Sequence, residues 1–512
     1  MHTDARTLDD HSVIEGDICI VGAGAAGISM ALEWANTAYN VILLEGGGFN
    51  VESDIQNLYA GESVGQRYFP LQSARLHFFG GTTGHWAGWS APYDPQDFAY
   101  RPWIPHSGWP ISRNDLDPYY NRASEIVELQ KYSFDIDAYI GNDPELVKLP
   151  FEDSPVWTKM WQLSPPTRFG KKYRQAIVDS PNIHLYTHAN VCNIEANESV
   201  SAVKQVEIRD LNGKSHAVRA RRFVLACGAM QNARLLLASN KQATAGLGNT
   251  NDLVGRYFME HLEVDSARFL LPNPGPMKLY TVDLFISKFF GELSLTAEKQ
   301  EALKSLNCTG SLRPVPLSES PLSIERYPED AAETIRMFES LEIQAASGNS
   351  MLIDHSKIKV YSMHTRLEQA PNPNSRIGLS QDKDALGVPR TKLDWQLTKL
   401  DKHSIRSFYE TVGEEAGRLG IGRVQLNDWL LSDDPMWPRH LAGGWHHMGT
   451  TRMHTDPKQG VVDSNCQVHG IQNLYMAGSS AFTTAGAANP TLTVIALSLR
   501  LSDYLKQIID KN

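Results

Sequence analysis

Cysteine is scarce in this chain. Five occur in 512 residues, at 19, 192, 227, 308 and 466, scattered and without CxxC spacing. That argues against a disulfide framework or a zinc site and suits a reducing compartment. No apolar run approaches the length of a membrane span. The first residues, Met-His-Thr-Asp-Ala-Arg, lack the apolar core of a secretory leader, so a cytoplasmic protein is expected. A basic surplus is missing too. Lys and Arg number 48 against 58 Asp and Glu, a net charge of −10, which argues against a nucleic-acid surface. Internal repeats and low-complexity tracts are absent, and no metal site is expected. What remains is a soluble globular composition, 42% hydrophobic and 21% charged, in a chain too long for one simple core.

Near the start lies a complete βαβ pattern. Ile18-Cys-Ile-Val21 is a short buried strand, followed at once by Gly22-Ala-Gly24-Ala-Ala26-Gly27. Ile28, Ala31, Leu32 and Ala35 then recur at helical spacing, and Val41-Ile-Leu-Leu44 is a second strand ending in Glu45. The first glycine permits a tight turn, the second lets a pyrophosphate reach the backbone, and the third packs helix on strand. Glu45 lies 18 residues past Gly27, where a carboxylate accepts hydrogen bonds from an adenosine ribose. The motif alone leaves FAD and NAD open.

A second Gly-rich stretch runs Phe79-Gly80-Gly81-Thr82-Thr83-Gly84-His85-Trp86-Ala87-Gly88. Its glycines permit close backbone approach and its threonines offer hydroxyls to a phosphate or ring edge. Further along, Val191 ends a strand pattern, Asn212-Gly213 marks a hairpin, and Arg222 to Ala226 is a buried strand closing on Cys227-Gly228. Cys227 reads as a small filler. Asp135 to Thr167, rich in proline and tryptophan, reads as irregular, Leu295 to Leu306 as helical, and Pro314 to Pro328 as a loop. Ile358 to Thr365 alternates as a strand, and Asp401 to Leu419 is a helix.

The last stretch carries the chemistry. Gly443-Gly-Trp-His446-His447-Met-Gly449-Thr450 is followed by Asn473-Leu-Tyr-Met-Ala-Gly478-Ser479 and by Asn489-Pro490-Thr491. Leu492, Ile495, Ala496 and Leu499 continue as an amphipathic helix, with Asn489 as its N-cap and Pro490 in its first turn. A helix N-terminus offers unpaired N–H groups and partial positive charge to an anion. Histidine is the usual proton acceptor near neutrality.

A His three residues before Gly-Thr, with Asn-Pro-Thr opening the last helix, resembles the end of the glucose–methanol–choline (GMC) flavoprotein oxidoreductases. The Asn-Cys-Gln-Val-His-Gly to Ala-Gly-Ser-Ser run is similar to their pyranose oxidase and glycoside oxidase branch. The resemblance spans 15–120, 180–262 and 360–505, and Asp252 to His261 and Glu368 to Arg376 also match. It implies a discontinuous α/β, Rossmann-like FAD-binding domain (1–94, 181–265 and 440–512). A second, α+β substrate-binding domain on an antiparallel or mixed sheet is implied for 95–180 and 266–439, with a lid or partner insertion at 267–352.

It implies FAD as cofactor, held by Gly22, Gly24, Ala26, Gly27, Glu45, Thr83, His85, Trp86, Gly88, Val191, Ala226, Gly478, Ser479, Asn489 and Thr491. In some pyranose oxidases the His of a Thr-His-Trp run bonds the flavin covalently. Here Gly84 precedes His85, so His85 is expected at the flavin without that bond. The implied reaction oxidises a secondary ring hydroxyl (C2 or C3) of a sugar or glycoside, with His446 as base and Asn489 as its hydrogen-bonding partner. His447 is the competing base; adjacent residues of an extended segment face opposite sides, so only one meets the flavin. Trp86, Trp89, His446 and Asn489 would suit a pyranose. His261 is expected in a structural role at the domain junction. Oxidation of a primary alcohol on an amino sugar, and a flavoprotein without turnover, are the alternatives. Oxygen, a quinone or another carrier is left open as electron acceptor, and so is a homo-oligomer.

Overall fold

A computed structural model describes residues 1–273, 275–281, 287–314 and 360–510. Strand Val13–Val21, apolar and buried over Ile18–Val21, pairs there in parallel with the fully buried Val41–Leu44, as expected of a βαβ unit covered on both faces. The sheet built on them runs His2–Asp4, Ile183–Thr187, Val41–Leu44, Val13–Val21, Ser215–Leu225, Val203–Arg209, Asn190–Ala196. Ser215–Leu225 pairs with Val13–Val21 along one edge and is long enough to serve two more partners along the other. Its first residues form the expected hairpin around Asn212-Gly213 with Val203–Arg209, and its last pair in parallel with Leu474–Met476. One sheet therefore gathers strands from both ends of the chain and from its middle. Helices Ala25–Trp34, Asp117–Ile126 and Thr491–Ile508 pack against one another beside it.

A second sheet is antiparallel throughout. It runs Arg423–Leu426, His261–Leu270, Val360–Glu368, Cys308–Pro314, Phe289–Leu295, Val156–Leu163, Trp89–Ser90, with Ala442–Gly443 also on His261–Leu270. Helix Lys399–Arg418 covers one face, where Leu262, Val264, Met363 and Leu367 are buried. Alternation then sends His261, Glu263 and Asp265, and from the neighbouring strand His364, Arg366 and Glu368, to the opposite face. That face turns toward the Gly443–Gly449 segment. A third sheet joins Arg376–Lys383, Pro389–Trp395 and Gly61–Gly65.

Two expectations need correction. The stretch 135–167 is not irregular throughout, because Val156–Leu163 is an inner strand of the second sheet, paired on both edges. The last helix begins at Thr491 with Pro490 in the cap position and no side-chain cap, because the Asn489 carboxamide is engaged elsewhere. The loop expected from Pro314 to Pro328 lies, beyond Pro314, outside the described residues. So does much of the 267–352 insertion, whose described part supplies strands Phe289–Leu295 and Cys308–Pro314 and helix Ala297–Leu303. Among the described residues no helix is long and apolar enough to cross a membrane, and no cluster of His, Cys, Asp or Glu could hold a metal ion.

Candidate active site

At the C-terminal edge of the first sheet three glycine-bearing segments converge. Gly22 turns with φ +101°, and a Cβ on Gly27 would lie 1.9 Å from the Gly22 carbonyl oxygen, so helix and strand approach as closely as only glycine permits. A Cβ on Gly24 would meet nothing within 4 Å: the side of the turn facing away from the sheet is open. The second stretch is tied here by the Gly80 N–H donating to the Ala23 carbonyl, 2.8 Å, with Gly81 close against Gly24. Gly478 (φ +92°) approaches Ala26 from the C-terminal segment. The Glu45 carboxylate accepts the N–H groups of Ala23 and Gly47, both at 3.0 Å; burial raises its pKa and those bonds oppose the rise.

Ala226 lies beside Gly22, and Val191 follows Ala189 and Asn190, which hydrogen-bond the Glu45–Gly46 turn. Some side chains expected to face a cofactor have protein partners instead. The Thr83 hydroxyl donates to the Gly80 carbonyl, the Ser479 hydroxyl to the His447 carbonyl, and the Trp86 indole to the Thr167 carbonyl. Gly88 (φ +79°) is bound through its carbonyl to the Ser164 N–H.

FAD fits this edge. The gap over Gly24 and the first turn of Ala25–Trp34 offer N–H groups to a diphosphate. Nearby, the Arg75 guanidinium is buried over the Tyr59 ring, and its Nε and Nη1 have no partner among the described residues. A buried cation of this kind calls for an anion. Cys227 is no nucleophile here: burial lifts its thiol to about 12.

The histidines lie where the Gly443–Gly449 segment crosses the second sheet. Glu260, fully buried, gathers the backbone N–H groups of His261, Gly444 and His446 on one carboxyl oxygen, at 3.0, 3.0 and 2.9 Å. Trp445 is held at φ +59°, a strained value for a bulky residue, and stacks on His85 with ring centroids 5.0 Å apart. Beyond it the adjacent histidines diverge. His446 turns to His261 and Asn489. His447 turns to Tyr68, whose hydroxyl lies 2.7 Å from its Nε2 and 2.5 Å from Glu260.

Hydrogen bonding determines which nitrogen of His446 is bare. His261 Nε2 faces two carbonyl oxygens, Gly486 at 2.9 Å and Ala485 at 3.2 Å, so it carries a proton. Burial holds the His261 imidazole down at about 4, hence neutral, and its Nδ1 is an acceptor. That atom lies 2.9 Å from His446 Nδ1, which must donate. His446 Nε2 is thus a lone pair, and the Asn489 N–H donates to it at 3.2 Å. The carboxamide orientation is set from behind, because the Trp161 indole N–H donates to Asn489 Oδ1 at 3.1 Å. Burial, then His261 and Arg366, push the His446 imidazole well below its ordinary pKa, against the opposing charge of Glu263. The His446 imidazole is therefore neutral, with a lone pair at Nε2.

A chain of charged groups continues from this point along the sheet. Arg366 donates to Glu263 (2.8 Å) and Glu292 (3.3 Å), and both His364 nitrogens lie 2.7 Å from carboxylates, of Glu263 and Asp265. Arg366 also lies over the rings of Trp89 and Trp161, 4.6 and 5.8 Å from their centres. The Trp89 indole N–H has no partner among the described residues. Sequence reasoning missed Trp161, Glu260, Glu263 and Arg366 and left His261 in a structural role. Only the alternation around His261 and within Val156–Leu163 hinted at them.

Residues 371–498, which include His446, His447 and Asn489, match the family described as GMC oxidoreductase. The chain carries the C-terminal domain of the GMC oxidoreductases. It is a FAD-dependent oxidoreductase of CH–OH groups. This chain is 23% identical to the fructose dehydrogenase large subunit of Gluconobacter japonicus over 97% of its own length and 98% of the relative's. It is 25% identical to paromamine 6'-oxidase of Streptomyces fradiae over 96% and 91%. Similarity to the C-glycoside 3-oxidase of Arthrobacter globiformis is 24% over 63% and 53%. The fold is shared with the solved structure of formate oxidase at TM-score 0.58 and 16% identity, covering 98% of this chain and 99% of that one.

Proposed function

We propose that this oxidoreductase converts a secondary ring hydroxyl, at C2 or C3, of a sugar or glycoside to the ketone, with His446 as the base. The bare Nε2 of His446, fixed in that state by its neighbours, is the observation that carries the reading. FAD, when bound, supplies the hydride acceptor. A substrate hydroxyl enters between Asn489 and His446, replacing the bond those two make with each other. Its proton is then aimed at His446 Nε2, and the Asn489 N–H holds its oxygen. As the proton moves to the imidazole, the oxygen becomes alkoxide-like and the neighbouring C–H bond weakens. General-base help of this kind contributes roughly 10²–10⁴-fold.

Substrate class rests on the polar wall and the relatives together. A face bearing Glu263, Arg366 and the unpartnered Trp89 indole N–H beside an aromatic pair offers hydrogen bonds and an apolar surface to a polyhydroxylated ring. The similarity to a C-glycoside 3-oxidase supports the ring position. The near full-length similarity to a paromamine 6'-oxidase favours a second reading, a primary hydroxyl on an amino sugar. Gly22, Gly24, Ala26, Gly27, Glu45, Ala226 and Gly478 are assigned to the adenosine diphosphate end of the cofactor, and His85 and Thr491 to its ring end. The residues of the first sheet and the Gly443–Gly449 segment make up its domain, and the second sheet forms the substrate domain. Anaerobic stopped-flow reduction of the bound FAD decides between the readings. Bleaching by pyranoses and glycosides blocked at the primary position is expected; bleaching only by free primary hydroxyls of amino sugars refutes the ring position. Bleaching by no alcohol or sugar refutes turnover altogether. Admitting oxygen or a quinone to the reduced protein identifies the electron acceptor.

A further inference from the structure

His261 does more than fill the junction between the sheets. It is fully buried on the first residue of strand His261–Leu270, and its N–H is held by Glu260. Its ring stands nearly perpendicular to that of His446, at 76° and 4.9 Å between centroids, so that one Nδ1 points at the other. Behind it are two carbonyl oxygens, an environment that accepts an N–H and favours positive charge on the ring that bears it.

We propose that His261 is the positioning residue of the base, a role that rests on His446 taking the substrate proton. The His261 Nδ1 lone pair binds the His446 Nδ1–H, so His446 meets substrate only with Nε2 bare. When the substrate O–H bond breaks, an N–H bond forms at His446 Nε2 and the imidazole gains one positive charge. That charge is shared along the Nδ1–H···Nδ1 bond. If the proton crosses it, His446 keeps only its new Nε2–H, and His261 becomes the imidazolium with its Nε2–H on Ala485 and Gly486. The proton returns by the reverse path when His446 is deprotonated. A carboxylate orients the imidazole in a serine-protease triad; here a second neutral imidazole backed by carbonyls takes that place. The charged and titratable groups facing the pair are Glu260 below the backbone, Glu263 and Arg366 from the sheet, and His447 from the adjoining residue.

Two substitutions separate the parts of this role. His261→Asn retains an oxygen acceptor near the Nδ1 position but cannot take a proton, whereas His261→Leu removes both. Nitrogen-15 spectra of histidine-labelled, FAD-loaded protein, assigned with a His446→Gln sample, read the tautomer without turnover. In the wild type His446 should show a protonated Nδ1 and a bare Nε2, and His261→Leu should mix the two forms. In anaerobic stopped-flow work His261→Leu should reduce its FAD roughly 10²-fold more slowly across the pH profile, with substrate affinity within threefold of wild type. His261→Asn should recover at least tenfold of that loss. A bare Nδ1 on His446 in the wild-type spectrum overturns the proposal. So does reduction of FAD-replete His261→Leu within threefold of wild type, or His261→Asn no faster than His261→Leu. Should His261→Leu not fold, the wild-type spectrum and the His261→Asn rate decide, with a rate more than 10²-fold down counting against. Failure of the functional reading itself looks different: wild-type FAD reduced by no sugar, or His446→Gln as fast as wild type.

Discussion

Trp161→Phe isolates one hydrogen bond in the chain that ends on His446. The ring is fully buried, stacked near Phe290 at 5.8 Å and under Arg366, so phenylalanine keeps most of the packing. What disappears is the indole N–H to Asn489 Oδ1 at 3.1 Å. A net bond is worth about 0.5–1.5 kcal/mol, and a buried acceptor left without a donor costs about 1–3 kcal/mol. The Asn489 carboxamide then has no reason to keep its N–H toward His446 Nε2 and the substrate oxygen. Each 1.36 kcal/mol of lost transition-state stabilisation is tenfold in rate, so FAD reduction by saturating substrate should slow by about tenfold and by no more than about 100-fold. The assay is anaerobic stopped-flow at several substrate concentrations, with flavin content measured on each sample. A FAD-replete variant reducing within twofold of wild type would refute the view that Trp161 orients Asn489.

His446→Ala should abolish reduction by more than about 10²-fold while His447→Ala retains most of it, as stopped-flow traces will show; the reverse order sinks the assignment. Gly27→Ala should fail to yield folded protein in a thermal melt, because its Cβ would stand 1.9 Å from backbone oxygen. Gly24→Ala, with open space around it, should melt as apoprotein like the wild type yet bind FAD at least about tenfold more weakly by titration. Glu260 is lifted by burial to about 8, so the folded protein keeps a proton that the unfolded chain releases. Wild-type stability should therefore fall as pH rises from the ordinary carboxylate range to about 8, by about 1.4 kcal/mol per pH unit from this group. Glu260→Gln should flatten that slope in pH-dependent denaturation. Arg101→Met should cost about 3–5 kcal/mol in denaturant melts by stranding Glu368, which it holds at 2.5 and 2.8 Å in the interior.

Local chemistry was readable wherever a motif is contiguous. Ile18–Val21, Gly22 to Gly27 and Glu45 announce a nucleotide turn because strand, glycines, helix and acid follow within one short stretch. The His446–Asn489 pair was readable because its two ends are marked by Gly449-Thr450 and Pro490-Thr491. The cap expected at Asn489 was misjudged because two distant groups, His446 and Trp161, compete for its carboxamide and outbid the helix N–H groups. Val156–Leu163 escaped notice because proline and tryptophan around it obscure an alternation that only its pairing partners make decisive.

The sequence by itself determined the βαβ unit with its glycine turn, the family resemblance and the choice of His446 as candidate base, because each depends on residues close along the chain. Tertiary structure alone decided which His446 nitrogen is bare and why. That answer depends on His261, 185 residues away, on carbonyls from the turn before the last helix, and on an indole from a strand 328 residues from Asn489. A proton's position on an imidazole is set by what touches the ring, and contacts between segments so far apart leave no local trace in a sequence.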